Sequence, residues 1–107
     1  MTITYNKLVR DLIPEIIERS GKKCNFRTLS DEEYIEMIDA KLDEELAEYQ
    51  KDQSLEELAD MLEVIYSAAI ARGYTAEELE KVRAEKAQKR GGFKNKILLI
   101  DVNDELG

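Results

Sequence analysis

Glu44-Glu45-Leu46-Ala47-Glu48-Tyr49-Gln50-Lys51-Asp52-Gln53-Ser54-Leu55-Glu56-Glu57-Leu58-Ala59-Asp60 is the stretch that decides the fold. It carries E-x-x-E, eight intervening residues, then E-x-x-D, on either side of a break at 51–54. Ser54 followed three residues on by Glu57 has the spacing of a capping box, so a new helix starts at 55. If the two helices fold back on each other, Glu48 meets Glu57 at one level and Glu45 meets Asp60 about a turn away. Four carboxylates then converge, and such a density of negative charge is costly unless a cation neutralises it.

Working outward, the same capping chemistry sets the other boundaries. Ser30-Asp31-Glu32-Glu33 starts a helix at about 31, and Thr75-Ala76-Glu77-Glu78 starts one at about 76. Gly73 stops the third helix, and Gly91-Gly92 stops the fourth. A shorter first helix covers Pro14 to Ser20, with Gly21 after its end. Lys96-Ile97-Leu98-Leu99-Ile100-Asp101-Val102 reads as a short strand or buried extended segment, with residues 24–29 as a candidate partner. The expected class is all-α, with four helices in a single domain, residues 1–107, and a short extended C-terminal segment.

The helix from Asp31 to about Lys51 carries Tyr34, Ile35, Ile38, Leu42, Leu46 and Tyr49 at core spacing, with Glu45 at the edge of that stripe. The next, Leu55 to about Arg72, is apolar on two sides. Leu55, Leu58, Leu62, Ile65 and Ala69 make the expected core face. Glu57, Asp60, Met61, Val64, Ala68 and Ala71 make a second stripe, expected to face another subunit.

Composition narrows the chemistry. The net charge of −8 argues against nucleic acid and against an anionic membrane surface as partners. No run of residues has the length and apolarity of a membrane span or a signal core, so the expected location is cytoplasmic. There is no histidine and one cysteine, Cys24, which excludes histidine triads, histidine-containing zinc sites and intrachain disulfides. Cys24 reads as a small packing residue without a catalytic role. A metal held here is held by oxygen, which selects Mg²⁺, Mn²⁺ or Ca²⁺.

Two basic segments accompany the acids. Lys86, Lys89 and Arg90 run into Gly91-Gly92-Phe93-Lys94, with Arg83 a turn earlier. Cations at a helix C-terminus answer the macrodipole, and the same cluster around a flexible turn can clamp phosphate. Near the N-terminus, Tyr5-Asn6-Lys7-Leu8-Val9-Arg10-Asp11 reads either as an arm packed through Tyr5, Leu8 and Val9, or as contacts to phosphate or base through Asn6, Lys7 and Arg10.

Together these segments resemble the MazG-like all-α nucleoside triphosphate pyrophosphohydrolases. The likeness rests on Glu44-Glu45-Leu46-Ala47-Glu48 with Glu57-Leu58-Ala59-Asp60. The stretch from Tyr5 to Pro14 and Lys89-Arg90-Gly91-Gly92-Phe93 look like the phosphoribosyl-ATP pyrophosphohydrolase-like sub-group. The resemblance implies an all-α four-helix MazG-like bundle that assembles as a homodimer or homotetramer, with Mg²⁺, or alternatively Mn²⁺, held by Glu45, Glu48, Glu57 and Asp60. Glu44 is a geometric substitute for Glu45. It implies hydrolysis of a nucleotide between the α- and β-phosphates, with water activated by a carboxylate, Glu45 or Glu48, or by the metal. Lys86, Lys89, Arg90, Lys7 and Arg10 are the implied phosphate contacts. A house-cleaning role on surplus or non-standard nucleotides follows. Phosphoribosyl-ATP hydrolysis in histidine biosynthesis and a non-catalytic helical oligomerisation module stay open beside it.

Overall fold

A computed structural model describes residues 1–104; the expected domain end at 107 lies outside the described residues. Four helices follow in order: α1 (Ile13–Arg19), α2 (Asp31–Asp52), α3 (Leu55–Ala71) and α4 (Ala76–Arg90). The all-α class and every helix boundary agree with the capping signals to within one or two residues. Each long helix starts on a hydroxyl that accepts the N3 backbone N–H: Ser30 from Glu33, Ser54 from Glu57 and Thr75 from Glu78. At α2 the box closes in both directions, because the Ser30 N–H donates to Glu33 Oε1 at 3.2 Å. Arg27 adds a two-pronged pair to Glu33 at 3.1 and 2.7 Å. Arg27 and the Ser30 backbone hold the Glu33 carboxyl down at about 2. At α3 the carboxylate of Glu57 is instead turned toward other acids.

α2 leaves through Gln53, whose φ of 52° and ψ of 30° put a non-glycine residue in the left-handed region. With Ser54 already the cap of α3, two residues reverse the chain. α2 and α3 form the main packed hairpin; among the described helices α4 packs on α3 alone. Gly73, at φ +90°, closes α3 by letting the Tyr74 N–H reach back to the Ala69 carbonyl at 3.0 Å.

The packing face of α3 is the reverse of the sequence expectation. Val64 is buried and Met61, Ala68 and Ala71 are half-buried, whereas Leu55, Leu58, Leu62 and Ile65 stand exposed. The stripe headed by Glu57 and Asp60 is the one that meets α2, because its small residues let the two backbones approach. On α2 the contact line runs through Ile38 and, seven residues on, Glu45. Both are buried, while Leu46 is 41% exposed. Residues 97–100 form no strand with residues 24–29 and are exposed, so the expected paired or buried tail is corrected. No partner strand lies within reach of its backbone among the described residues.

The molecule is long and thin, with extents of 72 × 31 × 21 Å and a radius of gyration of 19.3 Å. A compact chain of this length has a radius near ~13 Å. Its accessible surface is 10135 Å², against about 6,100 Å² for a compact monomer of its mass. No helix among the described residues is long and apolar enough to cross a membrane.

Ser54→Ala removes the cap that starts α3. The expected loss is about 1 kcal/mol, read as a fall of roughly 4–8 °C in thermal midpoint by circular dichroism.

Candidate metal centre

The hairpin sorts the predicted quartet into two overlapping groups. Glu45, Glu57 and Asp60 each offer an oxygen within 4.8 Å of the others, and so do Glu48, Asp52 and Glu57. Glu57 belongs to both groups. Its place in the first turn of α3, with its own N–H satisfied by Ser54 Oγ at 3.2 Å, points the carboxylate across the hairpin. Asp60 follows one turn later. From α2, Glu45 sits within the packed interface, and Glu48 and Asp52 lie on the more exposed flank.

The crowding has an electrostatic signature. The Glu57 carboxyl is pushed above its ordinary 4.5, first by desolvation and then by the negative charges of Asp60, Glu45, Glu48 and Asp52. An all-oxygen group of this kind fits a hard divalent cation such as Mg²⁺ or Mn²⁺ and offers nothing to a thiophilic metal.

Glu44 does not join either group. It accepts from Lys7 Nζ at 3.0 Å and from Lys41 Nζ at 3.4 Å. Lys7 in turn holds the Glu44 carboxyl below its ordinary range. Glu45 is therefore the buried member of the Glu44-Glu45 pair, and Glu44, the alternative to it, lies outside both groups and is paired with Lys7 and Lys41.

Three cations reach this region. Lys41 is largely buried and lies 3.5 Å from Glu45 Oε1 as well as beside Glu44. Arg10 Nη2 donates to Asp60 Oδ1 at 2.7 Å, and Lys7 holds Glu44. Val9, Arg10, Ile13, Lys41, Glu45 and Asp60 line an open cleft of about 230 Å³. Lys7 and Arg10, expected near phosphate, are thus brought to the acidic site.

Lys86, Lys89 and Arg90 are exposed on the last turns of α4, which makes no packing contact with α2. Arg90 lines a separate cleft of about 170 Å³ with residues 91–97 of the following turn. Arg83 is engaged by Glu80 at 2.9 and 2.5 Å. The two basic segments therefore occupy different places. Lys41 and Asp52 are the additions that reading the sequence missed. Lys41 lies four residues before Glu45 and Asp52 four after Glu48, spacings that put each on its partner's helix face.

Over 42 residues the chain is 62% identical to an uncharacterized protein of Mycolicibacterium smegmatis (strain ATCC 700084 / mc(2)155). The match covers 39% of this chain and 43% of that protein, so the chain spans less than half of the relative. No family model matches the chain, and no solved structure does.

A carboxyl raised on folding binds more protons in the folded state than in the unfolded one. Glu57 therefore contributes a loss of stability to the metal-free protein as pH rises through the window above 4.5, against the opposite contributions of Glu33, Glu44 and Glu80, whose carboxyls are held down. Glu57→Gln removes the repelled charge. It is expected to raise the metal-free thermal midpoint at neutral pH by a few degrees and to remove the Glu57 contribution, so that the variant gains stability relative to the unaltered protein as pH rises. Urea titrations from about pH 4 to about pH 8 check both.

Proposed function

We propose that this protein is a Mg²⁺-dependent nucleotide pyrophosphohydrolase of the MazG-like kind, cleaving a nucleoside triphosphate between its α- and β-phosphates. The observation that carries the reading is the pair of carboxylate groups joined through Glu57 across the α2–α3 hairpin. Five acids drawn together at the packed edge of two helices destabilise the chain unless they serve a cation. The N-terminal and Lys89–Phe93 motifs supply the nucleotide class by resemblance.

In this reading Glu45, Glu57 and Asp60 hold the metal, with Glu48 and Asp52 on the flank shared through Glu57. Bound Mg²⁺ would supply charge neutralisation for the polyphosphate and acidify a water. Lys41 fixes the Glu45 side chain and offsets part of the negative charge. Glu48, the more exposed carboxylate, has room to take a proton from an attacking water. With no histidine in the chain, a carboxylate is the side-chain base the site offers. Lys7 and Arg10 border the cleft where phosphate would sit.

We also propose that the working form is a homo-oligomer. Leu55, Leu58, Leu62 and Ile65 present an uncovered apolar face on α3. The surface in excess of a compact monomer is larger than the roughly 800 Å² per partner of a standard interface. Leu62→Glu is expected to shift the species seen by light scattering toward the monomer.

Purified protein with Mg²⁺ and a panel of nucleoside triphosphates should release pyrophosphate and the monophosphate. Glu57→Gln should reduce the rate by roughly two orders of magnitude or more, while Glu44→Gln retains most of it. Absence of pyrophosphate from every nucleotide tried, modified bases included, would falsify the catalytic reading.

A further inference from the structure

We propose that Arg10 is an exchangeable cation: it neutralises Asp60 until the divalent metal arrives, and the same exchange frees its guanidinium for the incoming phosphate, so that metal and anion bind cooperatively. The proposal rests on the metal-site reading above and adds how that site is loaded.

The segment before α1 lies across both helices of the hairpin. Lys7 reaches Glu44 on α2 at 3.0 Å, and three residues later Arg10 reaches Asp60 on α3 at 2.7 Å. Asn6, at φ 47°, turns the backbone just ahead of both contacts. The Asp60 carboxylate taken by Arg10 is the same group that stands with Glu45 and Glu57. A divalent ion of this size binds carboxylate oxygen at about 2.0–2.1 Å, and it competes with the guanidinium for that group's negative charge.

The Arg10–Asp60 pair is suited to exchange. Its side chains are 57% and 40% exposed, so water screens the pair and its dissolution costs little. Lys41 differs: its side chain is 17% exposed and rides on the same helix as Glu44 and Glu45, so it stays. The site thus has one resident cation and one on a separate segment. Once displaced, Arg10 remains at the rim of the cleft with Val9 and Ile13. Its planar fork matches two phosphate oxygens. An anion that engages Arg10 removes the metal's competitor, and by linkage the metal favours the anion in equal measure.

Isothermal titration of the full chain with Mg²⁺, with and without inorganic phosphate, tests this. Arg10→Gln should bind Mg²⁺ alone about two- to fivefold more tightly than the unaltered protein, the scale of an exposed ion pair. Phosphate should tighten Mg²⁺ binding to the unaltered protein, and clearly less so in Arg10→Gln, where Lys7 and the metal alone attract the anion. Lys7→Gln removes one positive charge from the same segment without touching Asp60, and should give less than half of the Arg10→Gln effect. Equal Mg²⁺ affinity in the unaltered and Arg10→Gln proteins overturns the exchange, as does an equal gain in Lys7→Gln or a phosphate effect as large in Arg10→Gln as in the unaltered protein. In those cases the metal site itself stands. Absence of Mg²⁺ binding in all three proteins, each with its helical signal intact, overturns the metal reading and the exchange with it.

Discussion

The reversal at Gln53-Ser54 is the constraint on which the rest of the molecule depends. A left-handed residue followed at once by a helix cap leaves α2 and α3 no geometry but a tight antiparallel hairpin. Ser54 serves the turn and the site together. Its hydroxyl satisfies the Glu57 N–H, and the first turn of α3 then presents the Glu57 side chain to α2. Without that phase the acids would scatter around two independent helix surfaces.

Negative charge brought together in this way has to be offset. Part of the compensation is local: Lys41 lies one turn before the acids it pairs with. Part comes from far away in the chain, from Lys7 and Arg10. The remaining imbalance adds to desolvation at Glu57, whose carboxyl is raised first by its partial removal from water and then by the repulsion of its neighbours. The divalent cation proposed above would offset that residual charge, and the all-oxygen donor set restricts which ions could do so.

Helix limits were legible because caps are local signals: Ser30, Ser54, Thr75 and the glycines after α1, α3 and α4 act within a turn. The convergence of Glu45, Glu57 and Asp60 was legible for the same reason, since a two-residue link couples two regular periods. The orientation of α3 was not. Both of its sides are apolar, and hydrophobicity alone does not say that a stripe of Val64, Ala68 and Ala71 packs more closely than one of Leu55, Leu58 and Leu62. The roles of Lys7 and Arg10 were half legible. Their charge was plain, but pairings across 37 and 50 residues of chain depend on tertiary folding. Residues 97–100 have strand composition without a strand, because a strand also needs an edge to join.

A thickness of 21 Å is about two helix diameters. Every side chain in such a slab is at most one helix away from water, and none that is described is completely buried. The medium around Glu45 and Asp60 is accordingly close to aqueous on one side, and charges acting through it are weakened severalfold relative to a dry interior. A ligand or partner covering that face, such as the proposed nucleotide or second copy of the chain, would change more than the list of contacts. It replaces the solvent, and with it the strength of every charge in the hairpin.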